Sequence, residues 1–501
     1  MNLADLLDNI DVVQVAGKAD FTNVDFITFN SKKVKSKTIF VAIKGYKTDG
    51  HKFIPQALSQ GAAAVVIDNN DAVADNLIER SGAVKIVVNN SRIALAQISN
   101  FLYGQPSKHL TLIGITGTKG KTTTAFYLKN ILEQSGAKVG LIGTMKNMVA
   151  DKEIPTNLTT PEANTINSLM KDMVEAGCKY CVMEVSSHSL ELHRVDYLDF
   201  DVAVFTNLQS DHLDFHKTRE NYLQAKKILF DNLKENGKVV YNFDDEAKDK
   251  LFESMVAEMH SYGENEKAEI VLSDIHYTFE GTHFAIKLNG ETINISTKLI
   301  GTFNAYNAAA ALATANCLGI SLNDAIKGIE NLPQIAGRFE VIKSGEKVVI
   351  IDFSHTAGSL KQALLAANEI AAEYNPKKNI YTVFGCGGNR DKTKRPIMGK
   401  YASELSKKVF ATSDNPRDED PFLILKNIQS GITYNNYEII EDREEAIRKA
   451  ISEAEDDAVI LIAGKGHENY QLVKGIKTHF SDKEVAEKYL SAKKNATEEI
   501  L

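Results

Sequence analysis

Four cysteines in 501 residues are too few for a disulfide framework, and such sparing use fits a reducing cytoplasm. Two of them, Cys178 and Cys181, form a C-x-x-C pair. A zinc or redox reading needs a second ligand pair or a thioredoxin-like context, and neither Cys317 nor Cys386 supplies that spacing. Cys181 opens an apolar run, which makes it a core residue. Long hydrophobic runs are also missing: no stretch reaches the roughly 18 apolar residues that a membrane-spanning helix needs. The opening stretch MNLADLLDNIDVV has no basic n-region, so no signal peptide is expected and a cytoplasmic location is. Positive charge is in deficit. Lys and Arg number 58 against 66 Asp and Glu, a net −8. That balance argues against a general nucleic-acid binder and leaves room for a local basic cleft facing an anionic small molecule. The remainder is ordinary globular composition, 43% hydrophobic and 25% charged. At a prior of roughly 150 residues per domain, the length suggests about three domains.

One stretch organises the rest. Thr111-Leu-Ile-Gly-Ile-Thr116 reads as a short β-branched strand, Gly117-Thr-Lys-Gly-Lys-Thr-Thr-Thr124 as a loop, and the run to Gln134 as an amphipathic helix. Ala125, Leu128, Ile131 and Leu132 share one face of that helix, and Gly136 stops it. Strand, glycine loop and helix are the geometry that cradles phosphates. Backbone N–H groups of Gly117, Thr118, Lys119 and Gly120 and the helix N-terminus (Thr122, Thr123) face the anion. Lys121 reaches the outer phosphates, and the Thr122 hydroxyl can ligate Mg²⁺. The glycine spacing is unusual. The common pattern has a glycine five residues before Gly120, where Ile115 stands; the glycines here are Gly114 and Gly117.

The pattern along the chain predicts an α/β protein of three domains: a small N-terminal α/β domain (1–103), a central P-loop-type domain on a mainly parallel sheet (104–336), and a C-terminal Rossmann-like α/β domain (337–501). In the first, Ser31 and the Lys44-Gly45 turn are candidate ligand contacts, or simply solvated loop residues. In the second, apolar strands end repeatedly in polar clusters: Cys181-Val-Met-Glu-Val-Ser-Ser-His188, Val202-Ala-Val-Phe-Thr-Asn-Leu208 leading to Asp211-His212, and Asp244-Asp245. Ligands of open parallel sheets sit outside the carboxyl ends of strands, so these clusters should converge on one crevice. The stretch 268–300 alternates in period 2 and holds Asn289-Gly290, a hairpin signal. Gly301-Thr-Phe-Asn304 leads into an alanine-rich helix from Ala305. In the third domain, strands end at Asp352-Phe-Ser-His355, Gly385-Cys-Gly-Gly-Asn-Arg390, Ser413-Asp-Asn-Pro-Arg417 and Gly464-Lys-Gly-His-Glu468. A frayed tail is expected after Leu490.

Glu184 and His212 suit Mg²⁺ or Mn²⁺ beside Thr122, with a hydrogen-bonded structural histidine as the alternative. Asp211 and Asp214 suit caps of the following helix. Lys226 and Lys227 sit on a helical run, where a lysine pair reads as a solvated face. Arg338 follows a hinge-like glycine and suits either a transferring phosphoryl group or a surface ion pair. Arg390 and Arg417, each beside Asn and Asp, can bind a carboxylate bidentately, and Glu468 can pair with an ammonium. Together they outline an amino-acid site.

Five motifs occur in order: Thr116-Gly-Thr-Lys-Gly-Lys-Thr122, Met183-Glu-Val-Ser-Ser-His188, Asp211-His-Leu-Asp-Phe-His216, Tyr222-Leu-Gln-Ala-Lys226 and Gly464-Lys-Gly-His-Glu468. Together they resemble the Mur ligases of peptidoglycan synthesis, and within them the enzymes that add the third peptide residue to UDP-N-acetylmuramoyl-L-alanyl-D-glutamate. The phosphate loop is shared with folylpolyglutamate synthetases. The resemblance implies ATP-dependent amide formation through an acyl phosphate, with domains for the UDP substrate, ATP and the incoming amino acid, and a monomer. It implies that Lys226 is carbamylated and supports Mg²⁺ with Glu184 and His212. Asn304 and Asn307 would approach adenine, Asp352 the ribose and Arg338 the phosphates. Asn157, Thr159, Thr160, Ser187 and Arg194 match contacts to the UDP-muramoyl substrate, and Ser31 a uridine-side contact. Asp414-Asn415-Pro-Arg417 matches the form of its motif associated with meso-diaminopimelate, beside Arg390, Gly464 and Glu468 as the other candidate amino-acid contacts; lysine-adding relatives generally lack the arginine matching Arg417. The physics agrees, because diaminopimelate carries a second carboxylate for an arginine to clamp and L-lysine does not. Three positions depart from the common pattern: Lys32 for Arg, Ala357 for Pro and Leu192 for Gln. The alternatives are L-lysine as the added residue, a related ligase of the superfamily, and a nucleotide-operated switch that ligates nothing.

Overall fold

The computed structural model describes residues 1–45, 48–209, 211–253, 255–345, 347–374 and 379–498. The chain divides into two compact units, residues 1–209, 220–269 and 310–328 in one and 210–219, 270–309 and 329–501 in the other. No helix among the described residues is long and apolar enough to cross a membrane.

The first unit holds two sheets. In the smaller, Val84–Val87, Ala64–Ile67, Thr38–Val41 and Phe26–Thr28 run parallel in that order, with Gln14–Ala16 antiparallel at the edge. The larger has a parallel run in the order Glu258–Gly263, Leu233–Asn242, Phe200–Phe205, Thr111–Thr116, Tyr180–Glu184, Val139–Ile142. Its inner strands are apolar throughout because both faces are covered. Leu112, Cys181, Met183, Ala203, Phe205 and Val239 form a core with Met170 and Met173 of the helix Ala163–Glu175. All four cysteines are buried free thiols, as the apolar context of Cys181 predicts. The helix Lys121–Gln134 buries Ala125, Leu128, Ile131 and Leu132, and Gly136 at φ +87° ends it in the left-handed conformation that favours glycine.

The second unit has three antiparallel strands, Ile270–Thr278, Gly281–Leu288 and Glu291–Thr297. Asn289 and Gly290, at φ +52° and +84°, make the two-residue turn that the sequence predicts. Tyr277, Phe279 and Ile300 share a core with the helix Ala357–Tyr374. The six-stranded sheet has the order Glu340–Ser344, Lys347–Asp352, Val459–Ala463, Ile380–Phe384, Lys408–Ala411, Tyr437–Ile439; only the first strand is antiparallel. Arg443 and Asp482, both fully buried, pair at 2.7 Å and tie the C-terminal helix to this sheet.

Three local expectations shift. The alanine-rich helix starts three residues early, at Thr302, so Asn304 lies on it with Asn307 rather than before it. The charged tail is not frayed where expected, since the helix Asp482–Glu498 runs through good helix formers. Asp211 and Asp214 do not cap their helix: His212 occupies the N-cap position at φ +54°, Asp211 accepts its neighbour's N–H, and Asp214 lies in the first turn.

Candidate active site

The strand Thr111–Thr116 lies between Tyr180–Glu184 and Phe200–Phe205, parallel to both, so all three carboxyl ends open on one side. The glycine spacing now has a reason. Gly117 has φ +151°, and a Cβ there would sit 1.9 Å from Thr206 Oγ1; Gly120, at φ +87°, immediately precedes the helix. Ile115 is a buried strand residue, where glycine would have no use. Thr206 Oγ1 donates to the Lys119 carbonyl at 2.6 Å, and Asn207 brackets Lys119 by accepting its N–H and donating to its carbonyl, both at 3.1 Å. Lys121 Nζ donates to the carbonyls of Gly117 and Thr118 at 2.8 and 3.1 Å. Thr206 and Asn207 were visible as a strand-end cluster, but their service to the loop depends on strand adjacency. Gly117→Ala is expected to weaken nucleotide binding by about tenfold or more, because the backbone strain alone is roughly 1–3 kcal/mol. Calorimetric titration with ATP checks this; an unchanged affinity would free Gly117 from the role.

Glu184, 1% exposed, is the hub of the first unit. Its Oε2 accepts from Thr122 Oγ1 and Thr144 Oγ1, each at 2.8 Å, and its Oε1 from Thr144 N at 2.9 Å. Gly143 leaves this room, since a Cβ there would lie 2.4 Å from Glu184 Oε1. Thr144 Oγ1 also meets Thr159 Oγ1 at 3.1 Å. The Glu184 carbonyl accepts from Thr160 Oγ1 at 2.8 Å, and Arg194 donates to the Thr160 carbonyl at 3.0 Å. Glu162 holds Arg194 at 2.8 Å. Thr159, Thr160 and Arg194 are thus wired to the phosphate loop through one residue, Glu184, Thr159 by way of its carboxylate and Thr160 and Arg194 by way of its backbone carbonyl. Thr144 and Glu162 escaped the sequence reading, although Thr144 follows the strand Val139–Ile142 by two residues and its strand-end place was a usable signal; Glu162 lies at a helix N-terminus. Ser187 is buried in the adjoining helix, and Asn157 is exposed. Ser31 is buried in the small sheet's domain, its hydroxyl donating to Gln56.

Thr122 and Glu184 present adjacent oxygen donors, the hard type Mg²⁺ takes, and Mg²⁺ commonly uses one or two carboxylates plus substrate phosphates. Among the described residues no group of three or more His, Cys, Asp or Glu is placed to hold a metal ion.

Lys226 corrects the surface reading of its lysine pair. It is 1% exposed, donates to the Gly117 carbonyl at 2.9 Å and lies 4.4 Å from the Tyr222 ring centroid. Lys227 is the partner that faces outward, paired with Asp231 one turn on. The signal was available: Lys226 falls four residues after Tyr222 and three before Leu229, on the buried face.

In the second unit His212 lies beside Asp211, with Nε2 3.7 Å from its carboxylate and the imidazole 44% exposed. Asn307 donates to Asn304 Oδ1 at 3.1 Å, and Asn304 in turn to the Ile300 carbonyl. Asp352 accepts from Phe339 N and Ser354 N. The Arg338 guanidinium stacks 4.9 Å from the Phe353 ring, which also touches His467. Burial, helped by the Arg338 charge, pushes His467 down to about 4.

Three strand-end loops of this unit form one cluster. Gly388 N donates to the Asn415 carbonyl at 2.9 Å, and Arg417 Nη1 donates to the Gly388 carbonyl at 3.0 Å. Asn415 Nδ2 donates to Glu468 Oε2 at 2.8 Å, and fully buried Lys465 reaches Asn415 Oδ1 at 3.2 Å. Gly464, at φ +116°, would bring a Cβ within 2.9 Å of Asp414 Oδ2. Burial disfavours charge on both acids here. At Asp414 the Lys465 and Arg443 charges overcome it and hold the carboxyl below the usual range. At Glu468 burial and the Asp414 charge hold it above. Burial and the neighbouring Arg417 charge lower Arg390. Two mutually repelling guanidinium groups beside an acid suit a ligand with both carboxylate and ammonium groups.

Comparison with known proteins gives the same picture. Family models match as Mur ligase family, catalytic domain over residues 23–103, Mur ligase middle domain over 115–315, and Mur ligase, glutamate ligase domain over 337–466. Relatives include the UDP-N-acetylmuramoyl-L-alanyl-D-glutamate–2,6-diaminopimelate ligase of Clostridium botulinum, 41% identical over 98% of this chain and 99% of that protein. The enzyme of the same name from Bacillus cereus is 43% identical over 94% and 95%. A solved structure bearing that ligase name superposes with TM-score 0.67 at 28% identity, covering 98% and 99% of the two chains. A MurF ligase from Thermotoga maritima in complex with ADP shares the fold, with TM-score 0.67 at 22% identity and coverage of 94% and 99%.

Proposed function

The chain belongs to the Mur ligase family, and from that we infer an ATP-dependent ligase that joins meso-diaminopimelate to UDP-N-acetylmuramoyl-L-alanyl-D-glutamate in peptidoglycan synthesis. The observation that carries the choice of amino acid is the Arg390–Arg417 pair beside Glu468: two cations for carboxylate and one acid for ammonium.

The γ-phosphoryl group of ATP passes to the D-glutamate γ-carboxylate. The amine of the incoming amino acid attacks the acyl phosphate, and the tetrahedral intermediate expels phosphate. Loop N–H groups and Lys121 hold the triphosphate and offset charge that grows as the phosphoryl group moves. Thr122 and Glu184 would hold Mg²⁺, joined in this reading by His212 and a carbamylated Lys226; the cation supplies further charge compensation. Asn304 and Asn307 serve adenine, Asp352 the ribose and Arg338 the phosphates. Ser31, Asn157, Thr159, Thr160, Ser187 and Arg194 serve the UDP-muramoyl substrate. Arg390, Asp414, Asn415, Arg417, Gly464 and Glu468 serve the amino acid. The functional division is residues 1–103 for the UDP substrate, 104–336 for ATP and 337–501 for the amino acid, in a cytoplasmic monomer.

Phosphate release is the test. With purified protein, ATP, Mg²⁺ and UDP-muramoyl dipeptide, release is expected with meso-diaminopimelate and far less with L-lysine. Release with lysine alone would overturn the amino-acid assignment, and release with neither would overturn the ligase reading.

A further inference from the structure

Arg390 and Arg417 sit on separate loops and repel one another, so something must hold their spacing. Neither loop has a helix or strand of its own at that point. Gly388 brings the two backbones together and Gly387 makes room for the guanidinium: an added Cβ would lie 1.9 Å from the Pro416 carbonyl at Gly388 and 2.8 Å from Arg417 Nη1 at Gly387. Beneath them lies an ion pair, its arginine buried and its glutamate partly so, that no motif drew attention to. Arg395 is fully buried at the start of the helix Lys394–Leu405. Its Nη2 donates to Glu419 Oε1 at 3.0 Å and to the Gly387 carbonyl at 3.4 Å. Its Nη1 donates to Glu419 Oε2 at 3.1 Å and to Asn427 Oδ1, on the helix Pro421–Gln429, at 3.0 Å. Glu419 in turn accepts the N–H of Asn389, the residue before Arg390, and Asp418 N donates to Asn389 Oδ1 at 3.1 Å.

We propose that Arg395 and Glu419 are a positioning pair that sets the separation of Arg390 and Arg417, and thereby the preference for an amino acid with a second carboxylate. One guanidinium joins the loop before Arg390, the loop after Arg417 and both following helices. The pair's hydrogen bonds go to protein groups. The pair acts by fixing where two cations stand, and a planar, bidentate Arg–carboxylate fork is the side-chain geometry that fixes direction as well as distance. Glu419 stays ionised throughout the working range, because the Arg395 hydrogen bonds hold its carboxyl down at about 2.

The inference rests on the proposed amino-acid site, and the experiment separates the two. Wild-type protein and Glu419→Gln are compared by phosphate release with meso-diaminopimelate and with L-lysine. Glu419→Gln is expected to raise the KM for diaminopimelate by about tenfold or more, since a shifted guanidinium weakens its charge-assisted hydrogen bonds to the ligand carboxylate. Its preference for diaminopimelate over lysine should narrow, while the KM for ATP and kcat at saturation stay within about twofold. Glu419→Asp, which keeps the charge on a shorter arm, should recover part of the preference and serves as the readout if Glu419→Gln does not fold. An unchanged KM and preference in these variants overturns the positioning role. A parallel loss in all substrates together with thermal stability does so too, since that is the signature of a merely structural pair. Wild-type protein without diaminopimelate-dependent release would overturn the proposed function instead.

Discussion

Replacing Lys226 with alanine is expected to lower kcat by at least about a hundredfold, the scale on which loss of one charge-stabilising group in an enclosed site is felt. The geometry explains why so small a change should matter. Lys226 is buried against the phosphate loop, 2.9 Å from the Gly117 carbonyl, within the loop that Lys121 also holds. As an ammonium it braces that carbonyl. As a carbamate, formed by CO₂ adding to the neutral amine with loss of one proton, it becomes an anion that the carbonyl repels and a cation attracts. Alanine removes both forms. Short-chain carboxylates added to Lys226→Ala should restore part of the rate by standing in for the carbamate. A mutant that runs at the wild-type rate would end this assignment. A mutant that stays silent in every carboxylate while binding ATP normally would leave the lysine required but the carbamate refuted.

Arg417→Ala should raise the apparent KM for diaminopimelate by about tenfold to a hundredfold, which is what losing a charge-assisted hydrogen bond of roughly 1.5–3 kcal/mol amounts to. The KM for ATP should barely move. Arg417 has φ +54°, a strained backbone for a residue with a Cβ, and the strand Tyr470–Val473 secures it: Arg417 N donates to the Leu472 carbonyl at 3.0 Å and Lys474 N to the Arg417 carbonyl at 2.6 Å. That strain is kept where the side chain must point one way. Lysine cannot reproduce the planar fork, so Arg417→Lys should recover little of the affinity. An amino-acid KM that ignores both substitutions would take Arg417 out of the site.

Much of this was legible in the chain. The strand, glycine loop and helix around Gly117 announced themselves through β-branched residues, glycine placement and a 3.6-residue period. Asn289-Gly290 announced its hairpin, and the polar clusters after apolar strands announced the carboxyl ends where ligands gather. These are local signals, and each is written by backbone conformation over a few residues. The Asp211 and Asp214 caps failed because a side chain's partner is not fixed by its place in the sequence. Lys226 was misjudged because charge was weighed above periodicity, although its spacing from Tyr222 and Leu229 placed it inside.

What the sequence by itself determined, then, is the α/β architecture, the phosphate loop and the roster of strand-end residues. Only the tertiary structure decided which of them meet. The strand order Leu233–Asn242, Phe200–Phe205, Thr111–Thr116, Tyr180–Glu184, Val139–Ile142 is not the chain order. It is that order which puts Thr206 under Gly117 and joins Thr122, Thr144 and Glu184, residues from three separate segments. The Arg395–Glu419 pair likewise exists only once two loops and two helices have packed. The physical reason is common to both cases. Backbone periodicity is set by neighbours along the chain, whereas a buried polar group must find its partner wherever packing has removed water.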